Sequence, residues 1–210
     1  MGKFETEIVA IPAERIAGIA DKAREHDGFA AFGNPGAYKE LLQYCVIKQR
    51  GLLENDPSYK QIIPYLVLLH DKKIFYYIRP GAINEQRLAN KLSIGVGGHV
   101  ELEDVAHADE TIQAAVLREA KEEVGKDISV ENIKPLGFIS SEVSDVERVH
   151  LGILMLSELE GNQLTVADDE IGMHGFATAK QMEQMMQDEK YSVENWTQIA
   201  WQAVRQYLAD

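Results

Sequence analysis

Cysteine is almost missing from this chain: Cys45 is the only one among 210 residues. No intramolecular disulfide can form, which fits a protein of the reducing cytoplasm. Basic residues are scarce as well, 21 Lys and Arg against 34 Asp and Glu, for a net charge of −13. A field of that sign repels polyanions, so nucleic acid is not an expected partner, and a phosphate-bearing ligand needs a local cation to offset it. Sustained apolar runs are absent too. The N-terminus, MGKFETEIVAIPAERIAGIA, is broken by charges and by Pro12, which argues against a signal peptide and against a membrane span. Neither a repeat, a low-complexity tract nor a Gly/Ser/Pro-rich linker divides the chain.

What remains is a chain with 45% hydrophobic residues, enough to bury one sizeable core. Its first 59 residues read as an N-terminal extension packed on a main domain, with turn signals in FGNPG and a short helical pattern at Tyr38, Leu41, Leu42 and Cys45. From Tyr65 the pattern turns to strands. YLVLLHDKKIFYYIRP places apolar β-formers on either side of a polar HDKK turn and predicts a hairpin. A strand through LSIGV runs into Gly97 and Gly98, and a helix from about Asp109 to Val124 is capped by Asp109 and stopped by Gly125. Strands follow at KPLGFIS and VHLGILMLSEL, then a loop containing ADDEIGMHG. The tail, SVENWTQIAWQAVRQYL, predicts an amphipathic helix over 191–210 that opens on a capping serine and buries Trp196, Ile199, Ala200, Ala203, Val204 and Tyr207. Strands alternating with helices make the fold class α/β or α+β.

One stretch resists a structural explanation. REAKEEVG, residues 118–125, puts Glu119, Glu122 and Glu123 within one and a half helical turns. At about 100° per residue, Ile112, Val116, Leu117, Ala120 and Val124 form a buried stripe, and the three glutamates span roughly a third of the circumference up to its edge. Glu123 falls between Ile112 and Val116. Carboxylates three and four residues apart repel each other by a few tenths of a kcal/mol per pair, roughly, and burial increases the cost. Residues 101–131 hold ten Asp or Glu against three Lys or Arg, so local side chains cannot neutralise the cluster. Divalent cations with a preference for hard oxygen donors would. An ordinary charged helix, with Arg118 and Lys121 pairing the glutamates, explains the octapeptide equally well when it is taken alone.

Its surroundings break the tie. GGHVELEDVAHADETIQAAVLREAKEEVG resembles the signature of the Nudix (MutT-like) hydrolases: a glycine, a glutamate, then Arg-Glu, an apolar residue, Glu-Glu and a glycine in fixed register. Glu110 stands eight positions before Arg118, and Arg118, Glu119, Ala120, Glu122, Glu123 and Gly125 all fit. Two departures are visible. Eleven residues separate Gly98 from Glu110, more than the family's usual spacing, and Lys126 takes the final apolar position.

The resemblance implies a Nudix domain over residues 60–190, an α/β/α sandwich with a mixed β-sheet. It implies a hydrolase that cleaves a phosphoanhydride bond in a nucleoside diphosphate derivative or related organic diphosphate by attack of water on phosphorus. Glu119, Glu122, Glu123 and the backbone carbonyl of Gly98 would ligate Mg2+ or Mn2+, and Arg118 would pair with Glu110 or Glu122 to hold orientation. Glu170, beside Asp168 and Asp169, is the favoured general base, with Glu142, Asp145 and Glu147 as rivals. Arg79 is the candidate contact to a substrate phosphate. His99, His107, His150 and His174 lack ligand spacing and read as surface or turn residues. A small-molecule diphosphate is the expected partner, with homodimerisation by family analogy. Two other readings stay open: an isopentenyl diphosphate isomerase-like enzyme, for which Cys45 would matter, and a noncatalytic nucleotide-binding regulatory module.

Overall fold

The structure, a computed structural model, describes residues 2–34, 36–79, 90–160, 164, 166 and 171–209. In chain order the elements are β1 (Glu7–Pro12), a 3-10 turn (Ala13–Ile16), α1 (Ala17–Glu25), β2 (Phe29–Ala31), α2 (Ala37–Leu42), β3 (Val46–Gln49), α3 (Arg50–Leu53), β4 (Tyr59–His70) and β5 (Lys73–Ile78). Next come β6 (Lys91–Ser93), β7 (Gly95–Val96), a 3-10 segment (Leu102–Glu110), α4 (Thr111–Glu123), β8 (Val130–Ile139), β9 (His150–Leu159), β10 (His174–Ala177), α5 (Ala179–Gln187), β11 (Ser192–Val193) and α6 (Asn195–Ala209). They form two compact units. The first comprises Met1–Tyr65, Gly98–Val116 and Lys134–Met155; the second comprises Leu66–Gly97, Leu117–Ile133 and Leu156–Asp210.

In the first unit, β1 runs antiparallel between β3 and β4, with Val9 opposite Ile47 and Ile11 opposite Lys60. The sequence reading did not identify β1. Its EIVAIP is buried at four successive positions, so the alternation that marks a half-exposed strand is absent. Ile8, Ala10 and Leu53 form a core cluster against which Tyr59 packs. β2 pairs antiparallel with β8, setting Ala31 opposite Gly137. A Cβ on Gly137 would lie 2.5 Å from the Phe29 ring and 2.6 Å from the Ala30 carbonyl, a close approach that only glycine permits. Phe32 meets Phe138 edge to face, with ring centroids 4.6 Å apart.

In the second unit, the HDKK hairpin forms as expected: Leu69 pairs with Ile74 and His70 with Lys73. Asp71 and Lys72 both take positive φ, 50° and 59°, the turn geometry whose twist matches that of the flanking strands. LSIGV is two short strands rather than one, β6 pairing with β5 and β7 with β4. β10 is antiparallel to β5, whereas β11 is parallel to β6, so the sheet is mixed. Thr178 and Gln181 form a reciprocal capping box at the start of α5.

The helix expected from the C-terminal serine begins later. Ser192 is paired with Lys91 in β11, and α6 starts at Asn195. Thr197, inside its first turn, accepts the Ile94 N–H at 3.2 Å and is fully buried, which anchors the helix to the sheet. Ile199, Ala200, Trp201 and Val204 are buried on the same helix. Among the described residues no helix is long and apolar enough to cross a membrane.

Candidate active site

The glutamates of REAKEEVG lie on the last two turns of α4, within the second unit. Most of the apolar stripe forms as its spacing requires: Ile112, Val116, Ala120 and Val124 are buried, joined by Ala115, whereas Leu117 is only partly buried. Glu123, the carboxylate placed inside that stripe, is only 8% exposed. Glu119 is half-buried, whereas the Glu122 side chain remains 61% exposed. Arg118 donates to Glu119 Oε1 at 2.8 Å and lies 3.6 Å from Glu122 Oε2, one cation between two carboxylates. The charge-assisted bond orients Glu119, and the longer contact draws Glu122 toward the same guanidinium. The helix then stops at Gly125, whose φ of 137° favours glycine.

A second ionic group in this unit was not foreseen in full. Arg79, at the end of β5, is held by Glu194, with Nε 2.6 Å from Oε1, and the side chains are 11% and 8% exposed. Its guanidinium also donates to the Tyr77 hydroxyl at 3.0 Å, and that hydroxyl donates to the Gly95 carbonyl at 2.8 Å. Burial works against the Arg79 charge, but Tyr77, Glu194 and Glu123 raise its pKa above the ordinary arginine range. The field of Glu123 therefore reaches the arginine proposed for phosphate. Arg79 was legible as a cation at a strand end. Glu194 was hidden inside SVENW, where Ser192 offered a competing capping signal. Nothing in the sequence paired Tyr77 with it.

The remaining candidates sit elsewhere. Gly98 and Glu110 belong to the first unit, where Glu110 is exposed at the end of the 3-10 segment. Gly97, in the second unit, is the member of the glycine pair that requires glycine, at φ 152°. Asp168, Asp169 and Glu170 lie outside the described residues, as do the side chains of His107 and Asp109. The rivals to Glu170 are engaged in the first unit: Asp145 pairs with Arg148, Glu147 accepts from Ser141 Oγ at 2.5 Å, and Glu142 is 3.9 Å from Lys60.

One histidine requires a correction. His150 is buried at 6% exposure rather than on the surface, and its Nε2 lies 3.3 Å from His99 Nε2, which in turn is 2.7 Å from Gln61 Oε1. Its Nδ1 is 2.6 Å from the Val146 carbonyl, so that nitrogen carries the proton. Fifty-one residues separate the pair, a distance at which spacing carries no signal.

A hard divalent cation suits the chemistry of the α4 donors, three carboxylates at one helix end. As the side chains stand, Arg118 fills the role of counter-charge for Glu119 and Glu122. No three His, Cys, Asp or Glu side chains among the described residues converge closely enough to hold an ion.

Comparison with known proteins bears on the family of the domain. A profile described as NUDIX domain matches residues 66–201. Protein YmaB of Bacillus subtilis (strain 168) is 34% identical over 167 residues, spanning 78% of this chain and 76% of YmaB. Among solved structures, Tm1382, grouped with the Nudix hydrolases, matches with a TM-score of 0.76 at 26% identity, covering 96% of this chain and 99% of its own. The NUDIX domain of Shewanella oneidensis NrtR, solved with ADP ribose, matches at a TM-score of 0.50 and 13% identity, over 70% of this chain and 88% of its own. That last likeness is one of fold alone.

Proposed function

We propose, from the premise that this chain belongs to the Nudix family, has its α/β/α fold and is a hydrolase of pyrophosphate bonds, that it cleaves a nucleoside diphosphate derivative with Mg2+ or Mn2+. Glu119, Glu122 and Glu123 would hold the metal. When bound, it would neutralise phosphoryl oxygens and lower the pKa of the attacking water. The protein's own share is positioning. Arg118, 2.8 Å from Glu119 and 3.6 Å from Glu122, offsets their mutual repulsion, and burial keeps Glu123 from swinging into solvent. Arg79 supplies the local cation that a phosphate needs in a chain of net charge −13. Glu170 is the proposed acceptor of the proton from water.

The observation that carries this reading is Glu123: a carboxylate 8% exposed, on the same helix end as Glu119 and Glu122. Three carboxylates three and four residues apart on one helix end repel each other, and a divalent cation with a preference for hard oxygen donors offsets that repulsion. An isomerase using Cys45 is disfavoured. That residue lies outside the matched segment, and burial pushes its thiol up to about 12, so thiolate is scarce at neutral pH.

The test is a panel of ADP-ribose, dinucleoside polyphosphates, sugar nucleotides and nucleoside triphosphates, with and without Mg2+. Metal-dependent release of a phosphomonoester is the expected outcome. Glu122→Gln and Glu123→Gln should each lower kcat by roughly 100-fold or more while leaving the circular dichroism spectrum unchanged. Full turnover by either variant would remove the metal assignment. Sedimentation of the purified chain tests the proposed homodimer.

A further inference from the structure

The first unit contains a cavity of about 210 Å³ that the hydrolytic site does not use. One wall is the face of the 3-10 turn and α1 that carries Ala13, Ile16, Ala17 and Ala20, and Pro57 closes another side. The polar lining is Lys60, Arg24, Arg148 and Glu142. Three cations against one carboxylate is an inversion of the whole chain's charge balance.

The acids that pair with the two arginines do not contribute to the wall. Asp21 bonds Arg24 at 2.6 Å and Asp145 bonds Arg148, both from exposed positions outside the lining. Lys60 is the fixed point of the group. It is 5% exposed, its ammonium donates to the Arg148 carbonyl, and Glu142, at 3.9 Å, is its nearest acid. Burial lowers the Lys60 pKa and Arg148 and Arg24 lower it further, with Glu142 as the main opposing charge. Lys60 is thus a buried ammonium whose nearest acid is an exposed side chain beyond hydrogen-bond distance.

We propose that this cavity binds a small organic phosphate monoester, its phosphate between Lys60, Arg148 and Arg24 and its apolar body against Ala13, Ala17, Ala20 and Pro57. Phosphate suits the site better than carboxylate because its three terminal oxygens can meet three donors. The alanines leave the room for the apolar body. Glu142, 60% exposed on its side chain, is the competitor that the phosphate displaces from Lys60.

Isothermal titration of the full chain with phenyl phosphate, in the presence of a chelator so that no metal recruits the ligand to α4, tests the assignment. Saturable binding is expected, and benzoate should bind at least about tenfold more weakly. Arg148→Met should weaken phenyl phosphate by about tenfold or more, and Ala20→Leu, which removes no charge, should abolish its binding by filling the cavity. Glu142→Gln should strengthen it. Absence of binding by the wild-type chain, equal affinity for benzoate, or affinity unchanged in both Arg148→Met and Ala20→Leu would overturn the proposal. Thermal unfolding of each variant in ligand-free buffer separates loss of the site from loss of the fold.

Discussion

Glu194 shows how much a single residue can hold. Its carboxylate receives Arg79 at 2.6 Å, and both side chains are nearly enclosed. Removing one partner leaves a buried charge without its counter-ion, a loss of about 3 kcal/mol or more. Glu194→Ala should therefore lower unfolding stability in urea by that amount, and a double-mutant cycle with Arg79→Met should recover much of it. Additive losses would mean that the two residues act separately. His150 makes a prediction of opposite kind. Burial lowers its pKa below the ordinary 6.5 while the unfolded chain keeps that value, so acid protonates the unfolded state first. Its contribution is complete above about pH 6.5 and is lost as the pH falls toward the depressed folded value. His150→Gln should flatten this part of the stability profile; an unchanged slope would place the titration elsewhere.

Elements differed in how plainly they could be read. The α4 helix was legible because two periodicities agree on it, the apolar stripe of Ile112, Val116, Ala120 and Val124 and the register of the glutamates. The signature fixed the candidate ligands for the same reason. β1 was not legible, because burial on both faces erases alternation. α6 was misplaced at its start because Ser192 offers a cap, yet pairing with Lys91 in β11 outweighs it. The Thr178–Gln181 capping box was present in TAKQ and went unread beside a loop of acidic residues. Three-dimensional proximity, as between His99 and His150 or Arg79 and Glu194, has no one-dimensional trace. Gly137 belongs with the legible signals, since a glycine inside a strand marks a close approach. Gly137→Ala would drive a methyl group into the Phe29 ring and should cost roughly 1–3 kcal/mol in a thermal or urea melt. A loss of less than a few tenths would show that β2 can move aside.

Across the whole molecule, charge sets the terms on which a substrate arrives. A net charge of −13 repels a diphosphate from a distance, while the proposed cation and the proposed phosphate contact, Arg79, would attract it only at short range. Added salt screens the long-range part first, since the Debye length falls to about 8 Å at physiological ionic strength. At fixed free Mg2+, kcat/KM should therefore rise between low and moderate KCl. A steady fall would show that a local positive field governs capture.

The clasp between Arg79 and the residue just before α6 makes the tail a chemical part of the second unit. A chain cut after Val193 would retain every signature glutamate and still lose Glu194, so a search for the motif alone would score it as intact. Its arginine would have lost its counter-ion, and its sheet the Thr197 hydroxyl that caps Ile94. Truncation within 194–209 is therefore an alteration of the active unit, and α6 is best regarded as a clamp on the sheet.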